Sequence, residues 1–119
     1  MKIIIETIPH ETQRYSTCGD YWTDDDGTRQ FRVSEMGDER YEFLVALHEM
    51  VEQELCRLRG VTESSIDDFD MSHPDLDEPG LDPAAPYHIE HMAATEIEHW
   101  MAHEMDVDWE AYDAAVMAL

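Results

Sequence analysis

The stretch YEFLVALHEMVEQELCRLRG, residues 41–60, decides what kind of fold this chain can adopt. It contains no glycine or proline until Gly60, which stands where a left-handed helix cap belongs, so it reads as a long helix opening near Asp38. At about 100° per residue, Tyr41, Leu44, Leu47, Val51, Leu55 and Leu58 share one apolar arc that is expected to face a core. His48 falls inside that arc and Glu52 lies one turn later at its edge. A carboxylate turned toward a core is costly unless something pairs with it, so a partner is expected opposite Glu52.

Outward from this helix the chain changes character on both sides. Upstream, residues 2–8 (KIIIETI) are β-branched and end at Pro9, the pattern of a short strand. Asp24-Asp25-Asp26-Gly27 has turn chemistry and joins residues 20–23 to 29–33 as a β-hairpin. The expectation is a small antiparallel N-terminal sheet. Downstream, Thr62 begins a short helix through about Met71, and residues 72–86 (SHPDLDEPGLDPAAP), with four prolines and a glycine, form a loop. After Pro86, residues 87–105 (YHIEHMAATEIEHWMAHEM) read as a second long helix. A short helix follows from Trp109, its acidic first turn suited to the helix dipole. The predicted fold class is α+β: one domain over 1–119, with a small antiparallel sheet or hairpin packed on two long helices plus a short C-terminal helix.

A chain of 119 residues supports one core and no more. Its 29 acidic residues face 7 basic ones, a formal charge of −22 that disfavours direct contact with nucleic-acid phosphates or an anionic membrane. The acidity has three readings: a solvated surface suited to a salty cytoplasm, a decoy for DNA phosphates, or oxygen ligands for hard cations such as calcium. For the last, Asp75, Asp77, Glu78 and Asp82 in the loop are candidates for a second cation. Cys18 and Cys56 are far apart and form no CxxC pair, which fits a reducing compartment. Without a signal-peptide core or a membrane-length apolar run, the expected localisation is cytoplasmic.

The chemistry concentrates on the two long helices. His48-Glu49-Met50-Val51-Glu52 is an HExxE arrangement in which His48 and Glu52, four residues apart, share a face and can converge on one cation. Glu49, rotated by about 100°, can stand beside that cation as a catalytic base. The motif is similar to the HExxH helix of zinc peptidases with its second histidine replaced by glutamate. On the second helix the expected core arc is Ala94, Ile97, Met101 and Met105, with His91 and Glu98 at its margin. His88, His99 and His103 are expected to face solvent. His99 and His103 make a weak second metal pair, and Glu96-x-x-His99 has the spacing of di-iron carboxylate proteins without their four-helix pattern. The expected ligands are His48, Glu52 and His91, with Glu98 as a fourth ligand or as orienter of an imidazole. Zinc is the expected cofactor, and the second carboxylate also admits Mn2+ or Fe2+.

The chain also resembles a family of short, mostly uncharacterised phage and prophage proteins. The resemblance is carried by Met36-Gly37-Asp38, Arg40 through Glu49, Glu52, Leu55-Cys56 and Arg59-Gly60-Val61. Further on it rests on Asp77 through Gly80, Ala85-Pro86-Tyr87, His91, Ala94-Thr95, Glu98 and Val107-Asp108-Trp109. It covers most of the chain after residue 30, and it supports the site residues without implying a reaction. The order of small sheet, HExxE helix and ligand-bearing helix also looks like a pared-down zincin metallopeptidase, from which Glu52 departs. The expected function is therefore a metal-dependent hydrolase of peptide or amide bonds, its partner a protein or peptide. The alternatives are an accessory protein whose metal clips two helices together, and an acidic DNA mimic that inhibits a basic partner.

Overall fold

A computed structural model describes all residues, 1–119. The fold is α+β: a three-stranded N-terminal sheet packed against four helices. Strands β1 (Ile3–Ile8), β2 (Gly19–Thr23) and β3 (Arg29–Ser34) lie in the order β1-β3-β2. β2 and β3 form the expected antiparallel hairpin, closed by Gly27 at a φ of 87°, a conformation glycine adopts without steric cost.

The expectation of an antiparallel sheet is corrected at the first strand, because β1 pairs with β3 in parallel. The turn residues dictate only the direction of the hairpin. The segment between β1 and β2 crosses the end of β3 and brings the chain to its other edge. Ser34, fully buried at that end, pins the crossing: the rings and amides of His10 and Gln13 converge on its hydroxyl, which donates to the Thr17 carbonyl.

Helix α1 (Glu39–Arg59) opens on Asp38, whose carboxylate accepts from the Arg40 amide, and stops at Gly60 with a φ of 74°. Helix α2 spans Glu63–Ser72 with Thr62 as its cap. The proline-rich loop contains a single 3₁₀ turn, Pro79–Leu81. Helices α3 (His88–Glu104) and α4 (Trp109–Met117) complete the chain. No helix is long and apolar enough to cross a membrane.

Two apolar clusters make up the core. Val33, Leu44, Val45, Ala46, Ala102, Val107 and Tyr112 form one, and Tyr21, Phe31, Cys56, Ile66, Ala85 and Tyr87 form the other. α1 contributes to both, and its turn between Val45 and Cys56 crosses the seam where they meet. That turn carries His48 and Glu52.

Both expected apolar arcs are rotated. Leu58 is 64% exposed, while the deeply buried face of α1 carries Leu44, Val45, His48, Glu52, Gln53 and Cys56. On α3, Ile97 is 42% exposed and the buried face is Glu90, His91, Ala94, Glu98 and Ala102. Apolar residues surround α1 almost evenly, so side-chain periodicity is a weak guide to its orientation. Pairing of the buried histidines and glutamates across the seam turns both polar faces inward.

Candidate metal centre

His48 and Glu52 sit one turn apart on the inner face of α1, and His91 reaches them from the first turn of α3. Glu52 Oε2 lies 2.8 Å from His91 Nδ1 and 3.2 Å from His48 Nε2, and the two ring nitrogens are 3.1 Å apart. All three residues are buried. Ligand bonds of about 2.0–2.1 Å arranged tetrahedrally would hold such atoms about 3.3–3.4 Å apart. The observed spacings are a few tenths of an ångström tighter, so this group could hold a zinc-sized cation after a small outward relaxation.

Glu98 stands apart from the three grouped donors and bonds to His48. Its Oε2 accepts from His48 Nδ1 at 2.7 Å, on the side of the ring away from the other donors. A carboxylate on Nδ1 fixes the tautomer that leaves Nε2 free for a cation. The expected ligand margin of two helices is thus brought together as three converging donors and one orienting carboxylate.

Two tyrosines absent from the sequence reading complete the arrangement. Tyr21 donates to Glu52 Oε1 at 2.9 Å, leaving Oε2 to turn toward the histidines. Tyr112 donates to Glu98 Oε1 and leaves Oε2 for His48. Each ring packs in one of the two apolar clusters while its hydroxyl reaches the seam. Tyr21 is buried on β2, but no sequence signal marks its target.

Two glycines shape the site as well. A Cβ on Gly80 would lie 2.4 Å from His91 Cγ, and one on Gly19 would lie 2.5 Å from Glu49 Oε1. Neither has a positive φ, so close packing explains the glycine at both places.

The electrostatics of the group call for positive charge. Burial opposes ionisation of Glu52, yet hydrogen bonds and attraction from His48 and His91 outweigh it and pull its pKa down to about 2. Burial likewise opposes a charge on His48, but Glu52 and Glu98 prevail and hold its pKa well above the ordinary histidine value. Glu49 behaves differently: burial, and then repulsion from Glu52, push its pKa well above the usual carboxylate range. It is placed beside the three donors and makes no hydrogen bond to another side chain.

The group is not sealed. It lies on the wall of a cavity of about 510 Å³ that Glu49, Glu98, Tyr21 and Tyr112 also line. This volume is in the range of small-molecule and peptide side-chain pockets.

The remaining histidines stay outside the centre. His99 is exposed and stacks on Trp109 with ring centroids 4.3 Å apart, and His103 is exposed. His88, expected in solvent, is half-buried because its Nδ1 donates to the Gly80 carbonyl at 2.8 Å. That contact ties the 3₁₀ turn to the start of α3, beside His91. Of the acidic loop residues, Glu78 is half-buried and lines the cavity with Asp77, while Asp75 is exposed.

The fold and site together define a candidate three-donor divalent-metal centre with an open side. Comparison with known proteins finds no matching family model, no matching curated protein and no matching solved structure.

Proposed function

We propose that this protein is a divalent-metal hydrolase acting on peptide or amide bonds, with His48, Glu52 and His91 as metal ligands and zinc as the cation. The observation that carries the reading is that three donor atoms, 2.8–3.2 Å apart, converge at the wall of a 510 Å³ cavity beside a carboxylate without a side-chain partner. A purely structural centre closes its coordination with four protein ligands, whereas a catalytic one retains three and an open position. Two nitrogens and one oxygen suit zinc, and the carboxylate also accommodates manganese or iron.

A cation held there would acidify a water molecule and polarise a carbonyl oxygen. The chain's own groups supply the remainder. Glu49, whose side chain lines the cavity without a hydrogen-bond partner, accepts a proton from water and delivers it to the departing amine. Glu98 holds the His48 ring in one tautomer, Tyr112 holds Glu98, and Tyr21 orients Glu52. Gly19 leaves room for the Glu49 side chain. In this reading the phage-type resemblance and the unpaired Cys18 and Cys56 belong to a phage-encoded protein of the reducing host cytoplasm.

The test is Glu49→Gln in zinc-loaded protein assayed on a panel of peptides. The variant retains its metal and loses about 10²–10⁴-fold in turnover, the usual contribution of a general base. Cleavage at the wild-type rate removes Glu49 from the mechanism. A zinc-loaded wild type that cleaves nothing leaves the second reading, a metal clip joining α1 to α3, which is favoured by donors arriving from both helices.

A further inference from the structure

The cavity in front of the three donors is lined by both aromatic and acidic side chains. Tyr15, Tyr87 and Trp109 contribute faces, and Glu49, Asp70, Asp77, Glu78 and Asp113 contribute carboxylates. No lysine or arginine reaches it. Arg14 does not line the space and is spent on two acids that do, Asp20 through contacts of 2.7 and 2.9 Å and Asp67 at 3.5 Å. A second observation points to a missing ligand: His91, 91% buried by its 9% exposure, has an Nε2 with no protein partner. His91 is the only cavity-lining side chain with such an orphaned buried atom.

We infer that this cavity selects a cationic substrate, a peptide or amide that presents a guanidinium or ammonium group to Glu78 and Asp113 while its reacting carbonyl lies at the His48–Glu52–His91 group. The inference rests on the hydrolase reading for the reaction, but its claim about charge concerns the cavity alone. Glu78 is the central residue. It is half-buried in the loop leading to the 3₁₀ turn that packs on His91, and Asp113 of α4, His48, His91 and Glu98 all lie close enough to act on its charge. It forms no ion pair with a lysine or arginine, and only the charge of His91 and His48 offsets it.

A partly enclosed carboxylate without a counter-ion attracts a cation far more strongly than a surface carboxylate does, since the effective dielectric there is about 20 rather than 80. Aromatic faces add to the attraction for guanidinium. An anionic substrate meets several like charges and no lysine or arginine.

The experiment measures binding of N-acetyl-arginine amide, N-acetyl-glutamine amide and N-acetyl-glutamate amide to zinc-treated protein, with zinc content determined in the same samples. The arginine probe binds at least tenfold more tightly than the glutamine probe, by the attraction of one close charge pair at an effective dielectric of about 20, and the glutamate probe binds most weakly. Glu78→Gln with Asp113→Asn removes most of this preference. Glu96→Gln, an exposed acid on the outer side of α3, leaves it unchanged. Equal binding of the three probes overturns the inference, and so does an equal loss of preference in Glu96→Gln, which would make it an effect of overall charge. A protein that takes up no zinc yet retains the charge preference sinks the metal reading and leaves this one standing.

Discussion

Replacing Gly80 by alanine tests the geometry of the centre without touching any charged group. The new Cβ would lie 2.4 Å from His91 Cγ, 2.6 Å from Nδ1 and 2.9 Å from Cδ2. Ordinary carbon contacts require about 3.5 Å, so the ring must retreat by about 1 Å. Metal–ligand distances tolerate only about 0.2 Å. Gly80 has no positive φ, so alanine suits its backbone and the effect is confined to the ring. Loss of a side chain that only orients a ligand costs about 10–100-fold in metal affinity. Displacing the ligand itself should reach the upper end of that range or exceed it. Competition titration against a zinc-binding dye measures the loss, and far-ultraviolet circular dichroism checks that the helices persist. Unaltered zinc affinity in a folded Gly80→Ala protein would refute the placement of His91 in the centre.

Gly19→Ala is the complementary change. Its Cβ would strike Glu49 at 2.5 Å and not a ligand, so zinc affinity should hold within about threefold while turnover falls at least tenfold, a part of the 10²–10⁴-fold that a general base supplies. Parallel metal titration and peptidase assays would expose any other pattern. Tyr112→Phe removes the hydroxyl that holds Glu98 and should weaken zinc binding about tenfold through His48, as competition titration would read. Asp70 supplies a pH test. Burial, only partly offset by the hydroxyls of Tyr87 and Tyr15, raises its carboxyl pKa above the ordinary aspartate value. A raised folded-state pKa contributes stability below the unfolded value, and that contribution is lost as pH rises through the folded one. The melting temperature of Asp70→Asn relative to wild type should therefore increase from pH 3 toward neutrality, and a relative decrease over that window would contradict the assignment.

The parts legible in the sequence are those governed by local spacing. Four-residue separation puts His48 and Glu52 on one face, and seven-residue separation does the same for His91 and Glu98, so their convergence follows once the two helices pack. The caps at Asp38, Gly60 and Thr62 and the turn at Gly27 are local chemistry and were equally readable. What depends on distant contacts was not. The parallel pairing of β1 arises from a crossing pinned on Ser34. The rotation of α1 that exposes Leu58 arises because a polar seam competes with an apolar arc for the interior. Tyr21, Tyr112, Gly19 and Gly80 owe their roles to atoms 11 to 31 residues away at the nearest and farthest, and nothing in their neighbourhood announces them.

The central claim is that a divalent cation belongs between α1 and α3, held by His48, Glu52 and His91. Elemental analysis of the purified wild-type protein and of His48→Ala, dialysed against the same zinc-containing buffer, addresses it most directly. Close to one equivalent of zinc is expected in the wild type and almost none in the variant. A metal-free wild type, or a His48→Ala protein that retains its zinc, would contradict it.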